Sequence, residues 1–270
     1  MTLPAAVLLG IIQGLTEFLP VSSSAHLILA RFFFGWEMPP ELGLAFDVAL
    51  HLGTLAAIVT FFRAELAGMA RSIPALLSAD PGDAGRLMQL IAAGTIPIVI
   101  VGLLFTDFIE QRLRTPAVAA GALAVGALAM MVAERLGPRT RIETSLRWSD
   151  ALLVGCAQAA ALVPGMSRSG STIAIAMFLG LRRDAAARFT FLLAIPATLA
   201  AVGKESLELR HIALSGETAM LFAVGVVVSG GVGYLTIKYF LRFLAGHRLD
   251  VFAYYRLVLA AATVVWLWRS

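Results

Sequence analysis

The sequence predicts an all-α polytopic membrane protein with six transmembrane helices and two re-entrant helical hairpins, arranged as an inverted-topology repeat. Three observations predict it. Of 270 residues, 59% are hydrophobic and 14% charged, with mean hydropathy +0.86, whereas a soluble domain carries ~25% charged residues. Six apolar stretches come close to the ~20 residues that a spanning helix needs. Two polar stretches, 13–26 (QGLTEFLPVSSSAH) and 163–172 (VPGMSRSGST), interrupt short apolar helices. Polar groups at membrane depth are expensive and by default mark function.

Residues 2–19 are apolar and helical but stop at Pro20 and three serines, and 24–34 continue as a second short arm. Such a break is tolerated at membrane depth only where protein or a water-filled cavity covers it. Residues 2–34 therefore read as a re-entrant hairpin. Residues 35–42 (GWEMPPEL) form a loop, 43–62 a span, 63–86 a polar connection, 87–106 a span containing Pro97, and 107–114 a charged turn. Residues 115–133 are a Gly/Ala-rich span suited to close helix packing, followed by an arginine-rich loop over 134–147. The order then repeats, with a hairpin over 148–180 and spans at 184–203, 218–241 and 251–268. The chain is one membrane domain, 1–270, with repeats 1–136 and 148–270. The N-terminal MTLPAAVLLG has no basic n-region or cleavage site and reads as mature structure.

Some residues recur at nearly constant offset. Gly10 and Gln13 fall opposite Gly155 and Gln158, Pro20 and its serines opposite Pro164 and Ser167, and 46–57 opposite 189–201. A hairpin does not change sides, so three crossings invert the second copy, as in many transporters. Thirteen Lys and Arg fall in the loops 63–86, 134–147, 181–188 and 238–250. The opposite side has six: Arg31, Arg112, Arg114, Lys204, Arg210 and Arg269. The positive-inside rule makes the first side cytoplasmic. The hairpin with Glu17 then enters from outside, the one with Arg168 from the cytoplasm, and their tips meet near mid-membrane.

Composition excludes some classes. The net charge of +4 is explained by basic loops facing an anionic leaflet, and no nucleic-acid partner is expected. A single cysteine, Cys156, rules out an intrachain disulfide and reads as a packed small hydrophobe. No Cys/His cluster points to zinc or haem.

Gln13 and Glu17 are four apart and share a helix face. Glu17, the only carboxylate in the first 36 residues, suits a general base or a ligand for a hard cation such as Mg²⁺ or Ca²⁺. Among Ser22, Ser23 and Ser24, one would cap the next helix, and another is free as nucleophile or phosphate donor. His26 can move a proton near neutral pH or serve as a packing histidine. The second tip has the character of an anion site. Gly165 and Gly170 let backbone approach a ligand. Ser167, Ser169, Ser171 and Thr172 bring hydroxyls, the helix start brings free N–H groups, and Arg168 brings a planar fork. The bland alternative is that Arg168 and Glu17 form a buried structural ion pair. His51 reads as structural, Asp47, Asp150 and Arg188 as solvated or capping, and Arg256 as snorkelling.

At these tips the chain resembles the bacterial undecaprenyl-diphosphatase, or bacitracin-resistance, family. The first motif resembles that family's (E/Q)xxxE element followed by PVSS and a nearby His, here Gln13, Glu17, Pro20, Ser22, Ser23 and His26. The second resembles its PGxSRSG(S/A)T element, Pro164 to Thr172, and the likeness extends to 191–196 and to Tyr255–Arg256. Gln at position 13 leaves any carboxylate role to Glu17. The resemblance implies a bacterial inner-membrane enzyme that hydrolyses a C55 polyprenyl diphosphate to the monophosphate and phosphate, recycling the lipid carrier of cell-wall synthesis and conferring bacitracin resistance. It implies a divalent cation and an outward-facing active site; a homodimer is compatible with it. Glu17, Ser23, His26 and Arg168 are then the expected catalytic residues, with Ser22 the second choice of serine. Gln13, Ser22, Ser24, Ser167, Ser169, Gly170 and Thr172 are expected to bind substrate. The rivals are a lipid-phosphate transporter built on the same repeat and a non-catalytic protein with structural tips.

Overall fold

The structure is a computed structural model and describes residues 1–36, 39–76, 78, 80–208 and 215–269. These form α1 (Leu3–Thr16), α2 (Ser23–Phe34), α3 (Pro40–Phe61), α4 (Arg63–Ser72), α5 (Gly82–Phe108), α6 (Pro116–Leu136), α7 (Trp148–Ala160), α8 (Arg168–Phe178), α9 (Arg183–Glu208), α10 (Gly216–Leu244) and α11 (Asp250–Arg269). Six of them, α3, α5, α6, α9, α10 and α11, are long and apolar enough to cross a membrane. They correspond to the six expected spans, with ends shifted by a few residues because polar turns prolong the helices past the apolar stretch. Large side chains such as Leu103, Leu104, Val227 and Val258 point outward, as lipid-facing positions require.

The short helices come in two pairs, α1–α2 and α7–α8, each broken at a proline. Helix α1 ends at Thr16 and α2 begins at Ser23, whose N-cap is Ser22 at φ 74°. Helix α8 begins at Arg168, whose N-cap is Ser167 at φ 68°. The Ser22 hydroxyl accepts from the Ala25 N–H at 3.4 Å and the Ser167 hydroxyl from the Gly170 N–H at 3.1 Å. Positive φ on a non-glycine residue costs ~1–3 kcal/mol and tends to occur at functional sites. Here the same strained cap occurs at both breaks. Each first arm packs on a span from the other half of the chain, α1 on α10 and α7 on α5. Small residues allow this: a Cβ on Gly14 would lie 2.8 Å from the Ser229 carbonyl oxygen, and one on Gly155 only 2.2 Å from that of Gly94.

Three expectations change. The connection 63–86 contains α4 and a 3₁₀ turn at Ile73–Ala75. Leu66 and Met69 pack one face of α4 onto the core while Arg63 and Arg71 stay exposed. The turn 107–114 continues α5 as a wide turn over Ile109–Leu113. Cys156 is exposed on α7, not packed inside. Arg210, counted among the loop charges, lies outside the described residues.

The end carrying the basic loops is tied by Glu134, whose carboxylate is fully buried. It accepts from Arg139 at 2.7 Å, from Arg183 and from the Leu249 N–H at 3.2 Å. One carboxylate thus fastens the loop after α6 to the starts of α9 and α11. Asp150 accepts from the Arg147 N–H at 2.9 Å, the capping role expected of it. Arg188, expected to be solvated or capping, reaches Glu65 at 2.6 Å and lies over the Phe62 ring.

Candidate active site

The two breaks meet face to face. Glu17 follows α1, and its carboxylate is gripped from both hairpins. On its own side Gln13 Nε2 donates to Oε2 at 3.0 Å and the Ser23 hydroxyl donates to the same oxygen at 2.6 Å. From the opposite hairpin the Arg168 guanidinium donates to Oε1. His51 on α3 brings Nε2 to 3.6 Å from Oε2. The tips are stitched elsewhere too: Ser169 Oγ donates to the Leu19 carbonyl at 3.0 Å, and the Gly165 N–H to Ser24 Oγ at 3.5 Å. Phe18 anchors the first tip by an edge-on contact with Phe191 of α9, centroids 5.5 Å apart.

Beneath both tips lies Arg256. The expectation of a snorkelling side chain is wrong: Arg256 is 0% exposed. Its Nη2 donates to the carbonyls of Gly165 at 2.9 Å and Met166 at 3.0 Å, its Nη1 to that of Pro20 at 3.4 Å, and its Nε to that of Leu123 at 3.1 Å. Pro20, Gly165 and Met166 sit where the helices break, outside the helical backbone ladder, and besides Arg256 the Met166 carbonyl takes the Ser171 hydroxyl at 3.2 Å. One guanidinium supplies both tips. Room for it comes from Gly126, where a Cβ would lie 2.0 Å from Nη2, and from Gly170, where it would lie 2.8 Å from Nη1. Arg256→Met should therefore cost about 3 kcal/mol or more, the scale of stranding buried acceptors. An unchanged melting temperature of the detergent-purified variant would show that the tips hold without it.

A cavity of about 290 Å³ opens beside Glu17, with Ser22, Ser23, Ser24, Ser167 and Arg168 at its polar end. Apolar side chains such as Leu27, Ile28, Val48, Ile98 and Val202 line much of the rest. Asp47, Glu110 and Arg114 also line it. Asp47, expected to be solvated or capping, is buried. It takes Arg31 in a two-pronged contact of 2.5 and 2.9 Å and also meets Arg114. The His51 ring is oriented by Nδ1, 2.8 Å from the Asp47 carbonyl oxygen, which leaves Nε2 facing Glu17.

Not every expected site residue faces this cavity. Gln13, His26, Ser169, Gly170 and Thr172 are absent from its wall. Gln13 acts on Glu17. Thr172 Oγ1 donates back to the Arg168 carbonyl at 2.6 Å. His26 is engaged at both ring nitrogens, by the Ser22 carbonyl at 2.7 Å and the Tyr255 hydroxyl at 2.8 Å, and stacks on that tyrosine. The sequence suggests only structural, capping or snorkelling roles for Asp47, His51 and Arg256, and marks Gln158 only as the counterpart of Gln13. The signal available for the first two was their spacing of four, the same as that of Gln13 and Glu17.

The donor set limits how a cation can bind. Among the described residues no three His, Cys, Asp or Glu side chains lie close enough to cage a metal. A carboxylate such as Glu17 would supply a single protein ligand to an Mg²⁺-type ion.

Comparison with known proteins agrees with the resemblance. The family model described as bacitracin resistance protein BacA matches residues 6–262. The undecaprenyl-diphosphatase of Rubrobacter xylanophilus is 46% identical over 264 residues, covering 95% of each chain. Undecaprenyl-diphosphatase 2 of Stutzerimonas stutzeri is 48% identical over 273 residues, covering 98% of each. The undecaprenyl-diphosphatase of Nitrosococcus oceani is 44% identical over 254 residues, covering 94% of each. With the family model spanning nearly its whole length, the chain belongs to the family of the bacitracin resistance protein BacA.

Proposed function

We propose that this protein hydrolyses undecaprenyl diphosphate to undecaprenyl phosphate and inorganic phosphate in the membrane. The observation that carries the reading is Glu17, held at once by Ser23 of its own hairpin and Arg168 of the other, beside an apolar-walled cavity. A diphosphate needs the Arg168 guanidinium, a polyprenyl chain needs the apolar wall, and hydrolysis needs the paired base and hydroxyl. The relatives' names supply the identity of the lipid.

In this reading Glu17 takes the proton that Ser23 already directs at it, and Ser23 Oγ attacks the terminal phosphorus. The bond from that phosphorus to the bridging oxygen breaks, and the lipid monophosphate leaves. Water then cleaves the phosphoserine to release phosphate and restore the hydroxyl. Arg168 neutralises charge on the phosphoryl oxygens, the dominant contribution in phosphoryl transfer. Glu17 is the residue that would hold a divalent cation, which when bound would supply further charge neutralisation. Ser22 and Ser167 cap and position. His26 positions Ser22 through its carbonyl; with both ring nitrogens occupied, it transfers no proton in this scheme. Phosphate release from undecaprenyl diphosphate by the pure protein in detergent tests the reading. Transbilayer movement of the lipid without phosphate release would instead support a carrier.

The site is assigned to the outer face of the bacterial cytoplasmic membrane, with the two pairs α1–α2 and α7–α8 as re-entrant hairpins of an inverted repeat. Two observations support this. The cavity is lined by Asp47, Glu110 and Arg114, from the end opposite the basic loops, and the basic side is cytoplasmic by the positive-inside rule. Helix α10 offers a direct test, because its two ends should lie on opposite sides. In a background with Cys156 replaced, a cysteine at the exposed Glu217 should react with an impermeant thiol reagent in intact cells. One at Gly246, where a side chain meets open space, should not. The reverse pattern would invert the assignment.

A further inference from the structure

The second hairpin contains a glutamine at the position matching Gln13, but not the carboxylate that Gln13 serves. Gln158 falls opposite Gln13, and the residue four further on, opposite Glu17, is Leu162. In the first hairpin the amide is used, since Gln13 Nε2 donates to Glu17. In the second, Leu162 has nothing to accept with, and neither Nε2 nor Oε1 of Gln158 has a hydrogen-bond partner. Gln158 is nevertheless 0% exposed and lies in the wall of the cavity shared by Glu17, Ser23 and Arg168. Three hydroxyls of the second tip are already engaged: Ser167 caps α8, Ser169 donates to the Leu19 carbonyl, and Thr172 donates to the Arg168 carbonyl.

A buried primary amide with its donors and acceptor all unused is a costly group to retain. Such groups call for an explanation, and a ligand that completes them is one. Helix packing would be served as well by leucine or methionine. The chemistry that would complete it is specific. The Nε2 hydrogens need acceptors and Oε1 needs a hydrogen. A hydrated diphosphate offers both, through its non-bridging oxygens and through a P–OH or bound water. An uncharged donor also adds contact to the anion without placing a second cation beside Arg168.

We propose that Gln158 is a substrate-binding residue that holds the diphosphate group against Arg168 from the second hairpin. Its missing i+4 carboxylate is what leaves the amide available. The inference rests on the phosphatase reading for its ligand, and its test separates the two.

The test compares wild type with Gln158→Met and Gln158→Glu in detergent. Three quantities are read: melting temperature without ligand, its shift with inorganic pyrophosphate, and kcat/KM for undecaprenyl diphosphate. Methionine keeps the shape and removes an unsatisfied amide, so Gln158→Met should melt at or above wild type. It should lose the pyrophosphate shift and lower kcat/KM by roughly ten- to a hundredfold, chiefly through KM, the scale of a hydrogen bond to a charged group. Gln158→Glu places a carboxylate against the anion and should lose more. Unchanged kcat/KM and an unchanged pyrophosphate shift in folded Gln158→Met would overturn the proposal. So would a fall in its melting temperature with kcat/KM intact, which makes the amide structural. If Gln158→Met does not fold, Gln158→Glu with wild-type kcat/KM overturns it. A wild-type protein that releases no phosphate, yet loses its pyrophosphate shift on Gln158→Met, would sink the phosphatase reading and leave this one standing.

Discussion

Glu17→Gln is expected to lower phosphate release by ~10²-fold or more while the protein still folds and inserts, the scale of a general acid–base contribution. The glutamine keeps the length and one acceptor oxygen, so Ser23 or Arg168 can still be held. It removes the base that Ser23 addresses at 2.6 Å. It also removes the one carboxylate that, among the described residues, is gripped from both tips. Asp47 does not replace it, because it is committed to Arg31 and Arg114. Turnover close to wild type in Glu17→Gln would show that the proton goes elsewhere.

Arg168→Lys is expected to lose ~10²–10³-fold in turnover although the charge is unchanged, the range seen when one preorganised donor is removed from a reacting oxyanion. A guanidinium presents a planar fork of N–H groups that matches phosphate oxygens in pairs, whereas an ammonium is a point charge. Its side chain is 21% exposed, so donors remain for a ligand while one N–H holds Glu17. Arg168→Ala should lose nearly all activity. Its melting temperature separates a clamp from a strut. A purely structural partner of Glu17, once removed, would strand a buried carboxylate at a cost of roughly 3–5 kcal/mol. As a clamp, its loss should cost much less, because Gln13 and Ser23 still donate to Glu17. A collapse in stability, with the remaining folded protein active, would make Arg168 a strut.

Much of this site is legible in the residues themselves. Glu17, the serines and Arg168 stand out because polar groups inside apolar helices must be covered by protein or water, and two such interruptions in one chain invite pairing. The cap at Ser22 and the freedom of Ser23 follow from the break after Pro20, since one hydroxyl must serve the exposed N–H groups of α2. The less legible parts depend on what comes from elsewhere in the chain. Arg256 resembles an interfacial arginine near the start of a span, and nothing local shows that its carbonyl partners come from both breaks and from α6. His26 is close to the serines in sequence, yet its ring turns to Tyr255, while His51 arrives beside Glu17 from α3. Proximity along the chain singles out His26, whereas the imidazole in the cavity wall is that of His51. The α4 helix was hidden because its apolar face is only Leu66 and Met69, too short a pattern to stand out among charges.

The central claim is that Glu17 of one hairpin and Arg168 of the other form a single reacting unit, and a double-mutant cycle in turnover tests it most directly. Phosphate release is measured for wild type, Glu17→Gln, Arg168→Lys and the double variant under one detergent condition. Residues that act as a unit are strongly non-additive. The double variant should therefore be little slower than the slower single variant. Losses that multiply, as for independent sites, would contradict the claim.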